Sequence, residues 1–112
     1  YGHIDAFYSR FTIHAITKDD EDLLLPKIYK SLSNEGLLCV EVRTTKDSLY
    51  GAGEYCGDET FLTDHRRRFI NSQSFLRDVL NIGFDLLYFT EESDLSIYKD
   101  DNPVLMRIIL RK

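Results

Sequence analysis

The order of hydrophobic patterns along the chain predicts an α/β fold: a four-stranded mixed sheet of two parallel strands plus a C-terminal antiparallel pair, with two main helices. Three observations carry this. Residues 37–42 (LLCVEV) form a near-continuous apolar run, the pattern of a strand covered on both faces in a parallel sheet. Stretches with apolar residues at three- to four-residue spacing lie on either side of it. Two further strand-like runs, 84–90 and 104–110, close the chain across a polar link containing Asp100, Asp101, Asn102 and Pro103, so they pair antiparallel.

The elements follow in order. Residues 4–8 are a short strand. Thr17 is a helix cap, and the acidic run at 19–22 suits the positive N-terminal end of the helix behind it. Leu24, Ile28 and Leu32 give that helix its apolar spacing, Pro26 kinks it without ending it, and Gly36 is expected to close it in a left-handed cap. Strand, helix and the strand at 37–42 make a right-handed crossover unit. Residues 44–63 show no sustained periodicity and are expected to be a long loop, a lid or specificity insertion extending to about residue 70. Asn71 caps a second helix with Phe75, Leu76, Val79 and Leu80 on one stripe, ended by Gly83. Residues 1–112 thus read as one domain.

Composition narrows the function. The chain has 112 residues, 43% of them hydrophobic and 29% charged, enough to bury a core. Its net charge of −5 argues against a general nucleic-acid or anionic-membrane binder, which needs a positive field. No run approaches the roughly 20 apolar residues of a membrane span. A cytoplasmic protein is the expectation. The two cysteines, Cys39 and Cys56, make neither a disulfide framework nor a metal site. Gly51, Gly53 and Gly57 are spaced one residue too widely for a G-x-G-x-x-G phosphate cradle, and no helix opens behind them, so flexibility is their better reading.

Several segments together resemble the C-terminal half of class I S-adenosylmethionine-dependent methyltransferases, a Rossmann-like family. Residues 4–16 are similar to that family's fourth strand and the segment after it, a short apolar strand followed by a hydrophobic-His pair, here Ile13-His14. Residues 32–38 (LSNEGLL) resemble the L-x-P-G-G-x-L approach to its fifth strand, with Asn34 and Glu35 in place of Pro-Gly. Residues 71–84 match a helix ending L-x-x-x-G-F before the sixth strand. The resemblance implies S-adenosylmethionine as cofactor and a small-molecule methyl acceptor, with no metal. It also implies that the glycine-rich turn and acidic residue holding the cofactor's carboxypropyl group and ribose have no room before Tyr1. The expectation is a truncated methyltransferase domain, inactive alone.

Candidate site residues follow. Ser9, Arg10 and Phe11 fall at the C-terminal end of the first strand, the edge where open α/β sheets place ligands; the resemblance makes them cofactor-binding. His14 could orient an acceptor, although a histidine beside Ile13 and Ile16 is more often half-buried structure. Arg43 is weighed between pairing with Glu41 and orienting a substrate. Arg66, Arg67 and Arg68 stand out on an acidic chain; two of the three can reach a common anion, such as an anionic acceptor, while the third is solvated or ion-paired. A histidine is the side chain whose unperturbed titration lies near neutral pH, so His65 is the candidate catalytic base beside an acceptor hydroxyl. The rival to an enzyme is a non-enzymatic α/β module that binds an anionic partner through residues 44–68. A strand edge at residues 4–8 left bare by truncation is expected to produce a homodimer.

Overall fold

A computed structural model describes residues 4–10, 17–47, 49–63, 66–94 and 102–112, with the side chains of Ile4 and Arg10 excepted. Seven strands and two helices alternate: β1 (Ile4–Arg10), α1 (Lys18–Ser31), β2 (Leu32–Arg43), β3 (Glu54–Gly57), β4 (Thr60–Leu62), β5 (Arg66–Arg68), α2 (Ser72–Ile82), β6 (Asp85–Glu92) and β7 (Leu105–Arg111). The main sheet has the order β1-β2-β7-β6. β1 and β2 are parallel, while β7 runs antiparallel to both β2 and β6. The carboxyl ends of β1, β2 and β6 therefore meet at one edge of the sheet.

Both helices pack on one face. Leu25 and Ile28 of α1 and Phe75 and Val79 of α2 close over Leu38, Val40 and Val42 of β2 and over Met106, Ile108 and Leu110 of β7. Those alternate residues are 2% exposed or less, which explains the apolar density of both central strands. On the opposite face Tyr8 and Tyr88 are exposed, and Cys39 and Ile109 lie between them around a shallow depression.

The caps follow the sequence at three of four ends. Thr17 accepts a hydrogen bond from the Asp20 amide at 3.1 Å, and Asn71 accepts one from the Ser74 amide at 3.0 Å. Gly83 ends α2 with φ 128°, and a Cβ there would sit 2.8 Å from the Tyr29 hydroxyl, so only glycine fits. Gly36 does not close α1. The helix stops at Ser31, and the left-handed residue is Glu35, at φ 67°. A register irregularity between Ile4 and Ala6 of β1 takes up the extra residues of β2 here, and the Gly36 carbonyl instead accepts the Lys112 amide at 2.9 Å.

Residues 44–63 are more ordered than a long loop. After turns at 45–47 and 49–51 the chain forms β3, β4 and β5, a second, three-stranded antiparallel sheet. Strands of three or four residues are too short to show a period of two in sequence. A cluster of rings, Tyr50, Tyr55, Phe61 and Phe69, packs around this small sheet with centroid separations of 5.1 to 6.1 Å.

Candidate functional site at the carboxyl edge of the sheet

Two parallel connections build the site. β1 delivers Ser9 to the edge on the helix-covered face, two residues beyond Phe7, which packs on the core. Ser9 is 4% exposed, and among the described residues its hydroxyl oxygen has no hydrogen-bond partner. A buried hydroxyl left this way costs about 1–3 kcal/mol, so its presence at a ligand edge is informative. Arg10 follows it, in register with Glu41. Phe11, His14 and His65 lie outside the described residues.

At the end of β2 the charges pair differently from the sequence expectation. Glu41 accepts a hydrogen bond from Arg107, its cross-strand neighbour on β7. Arg43 instead donates to Asp47 at 3.0 Å, with both side chains buried, and the other Asp47 oxygen accepts the Val104 amide at 2.9 Å. Side chains two residues apart on a strand share a face, but the partners seen for this pair come from across the sheet and from the following turn. Arg43 thus locks the turn after β2 to the start of β7.

The segment after β5 then joins the edge. The Ile70 amide donates to the Arg43 carbonyl at 3.0 Å and the Thr45 amide to the Ile70 carbonyl at 3.1 Å, an extension of the β2 line that sets Asn71 and α2 beside it. Glu91, at the carboxyl end of β6, holds the first turn of α2 by accepting the Ser72 hydroxyl at 2.8 Å, with Lys46 at 3.3 Å. Burial alone would push the Glu91 carboxyl up; hydrogen bonds from Thr44, Ser72 and Lys46 outweigh it and hold the group below its usual range.

The three arginines separate as a strand requires. Arg66 is exposed, Arg67 is half-buried, and Arg68 is buried with its guanidinium 2.7 Å from the Glu21 carboxylate of α1. Arg68 is therefore an ion-paired member of the trio, and Glu21 is a partner that the sequence reading missed. The signal for it was an acidic residue on the buried spacing of a helix, since Glu21 precedes Leu25 by four positions.

Above that pair lies a cavity of about 310 Å³. Its walls are the first turns of α1 and α2, the segment from Arg68 to Ile70, and the β3–β4 turn with Tyr55, Asp58 and Glu59. Glu21, Asp22 and Asp78 converge there with the spacing of a metal cluster, but the Lys18 ammonium sits among them at 3.1, 2.6 and 2.8 Å. Burial pulls the Lys18 pKa down, and hydrogen bonds to Asp22, Asp78 and Glu21 more than reverse it, so the ammonium is held charged well above its ordinary range. Gly51, Gly53 and Gly57, each with positive φ, serve turns that lead into β3 and β4.

Solved structures share this architecture. A methyltransferase from Methanosarcina mazei dependent on S-adenosylmethionine superposes with a TM-score of 0.77 at 11% identity, over 99% of this chain and 60% of that one. The fold is that of class I S-adenosylmethionine-dependent methyltransferases. The Burkholderia thailandensis 1,6-didemethyltoxoflavin-N1-methyltransferase, solved with 1,6-didemethyltoxoflavin and S-adenosylhomocysteine, matches with a TM-score of 0.70 at 13% identity, over 99% of this chain and 44% of that one. The cyclase SpnF matches at 0.67 and 14% identity over 99% and 50%, so this methyltransferase fold also carries other chemistry. The chain spans 60% or less of the length of these proteins. No family model and no curated protein matches it. Among the described residues, no helix is long and apolar enough to cross a membrane.

Proposed function

We propose that the chain is the C-terminal part of an S-adenosylmethionine-dependent methyltransferase acting on a small molecule, with the glycine-rich half of the cofactor site supplied by sequence preceding Tyr1. The observation that carries this reading is the buried Ser9 hydroxyl, without a hydrogen-bond partner among the described residues, at the carboxyl edge of a methyltransferase-like sheet. A polar group in that position fits a polar ligand arriving at the edge. Ser9, with Arg10 and Phe11 beside it, would hold the methionine part of the cofactor. When bound, the cofactor supplies an electrophilic sulfonium methyl group.

The chain's own contribution is then alignment and exclusion of water, because in-line methyl transfer depends more on approach and desolvation than on acid–base help. His65 and His14, with Arg66 and Arg67, are proposed to face the acceptor, His65 as the base that takes its proton. Arg43 and Arg68 act through position, since their ion pairs with Asp47 and Glu21 fix the walls of the edge. On this reading the 112-residue chain alone transfers no methyl group, because it holds one side of the cofactor only.

Ser9→Ala tests the reading. The substitution should leave the chain's stability unchanged within about 1 kcal/mol, while weakening S-adenosylhomocysteine binding in the protein that includes the upstream half. Unchanged binding in that protein would remove the support that Ser9 gives.

A further inference from the structure

We infer that the cavity between α1, α2 and the β3–β4 turn is a seat for a positively charged organic group, an alkylammonium or guanidinium carried by the acceptor. Naming the ligand as the acceptor rests on the methyltransferase reading; the charge preference does not. Four carboxylates line the cavity, Glu21, Asp58, Glu59 and Asp78, against two cations, Lys18 and Arg68. Both cations are already engaged by carboxylates, so neither is presented to an incoming anion. The first turns of α1 and α2 oppose this with their partial positive charge, but Thr17 and Asn71 already cap those ends.

Glu21 and Asp78 on the cavity wall already hold an alkylammonium, that of Lys18, at 3.1 and 2.8 Å. Among the described residues the exposed Asp58 carboxylate on the cavity wall forms no hydrogen bond or ion pair. Tyr55, 60% exposed, adds a ring face of the kind that attracts organic cations. The volume, about 310 Å³, suits a small ligand.

The β3–β4 turn gives the same picture from the backbone. Asp58 and Glu59 form a two-residue hairpin loop with φ 50° and 59°, a conformation in which glycine or asparagine is cheaper. The carboxylates are thus kept on the cavity wall against a local conformational preference.

Three probes of one shape distinguish the charge: phenethylamine, 2-phenylethanol and phenylacetate, titrated into the 112-residue chain with amide chemical shifts as the readout. Phenethylamine should shift amides in residues 55–59 and 71–78 and bind about tenfold more tightly than the other two, an advantage reduced about fivefold by Asp58→Asn. Tighter or equal binding of phenylacetate, or no localised shift with millimolar phenethylamine, overturns the inference. Amine binding to a chain whose longer form has no affinity for S-adenosylhomocysteine would keep the cation seat and overturn its assignment to a methyl acceptor. The converse, cofactor affinity without amine selectivity, overturns the cation seat alone.

Discussion

Arg68 and Glu21, 47 positions apart in sequence, form a buried ion pair at 2.7 Å that joins the last strand of the small sheet to the first turn of α1. Their side chains are 6% and 2% exposed, so neither charge can be rehydrated if the other is lost. The pair therefore couples the insertion between β2 and α2 to the main sheet.

Arg68→Met leaves the buried Glu21 carboxylate with Lys18 as its remaining cationic partner among the ion pairs described. It should lower unfolding free energy by about 3 kcal/mol, whereas Arg66→Ala on the exposed side of the same strand should stay within about 0.5 kcal/mol. Urea denaturation of the two variants checks this contrast. Equal effects would mean that the arginine trio is a solvated run.

Glu91 gives a pH signature. Its folded pKa lies below the ordinary 4.5, so its contribution is present above the unfolded value and is lost as pH falls through the folded one. Glu91→Gln should cost about 1 kcal/mol at neutral pH. The gap between wild type and variant should begin to narrow below pH 4.5 and close under stronger acid, as followed by denaturation at a series of pH values. A gap that stays constant across that range would contradict the account of this carboxylate.

β1 is an edge strand of the described sheet, and Tyr8 on it is 66% exposed. We propose that two copies of the chain pair antiparallel along these edges, which satisfies backbone groups that otherwise face water beside apolar side chains. Sedimentation at micromolar concentration should find a dimer, and Tyr8→Glu should shift it toward monomer. A wild-type monomer under those conditions would reject the pairing.

The main sheet was legible in the sequence because its signals are long. The apolar run of β2 and the helical spacing of α2 extend over enough residues to show a period, and the capping residues Thr17 and Asn71 mark their helices by local chemistry. The placement of the last strand between β2 and β6 agrees with its buried alternation. What failed was either short or long-range. β3 to β5 have too few residues for periodicity, and Glu35 rather than its neighbour Gly36 takes the left-handed conformation. The partners of Glu41, Arg43 and Arg68 come from β7, the following turn and α1, choices that spacing along the chain cannot specify. The position of Ser9 at the carboxyl edge of the sheet was readable, but the absence of a hydrogen-bond partner for its hydroxyl among the described residues is a property of the packed structure.

Calorimetric titration of S-adenosylhomocysteine into the 112-residue chain and into the protein that includes its upstream half tests the methyltransferase reading most directly. The account predicts stoichiometric binding at about micromolar affinity, about 8 kcal/mol, for the longer protein. It predicts affinity at least about tenfold weaker for the chain alone, whose edge supplies only Ser9 and its neighbours. No binding by the longer protein, or binding by the short chain that equals it, would contradict the account.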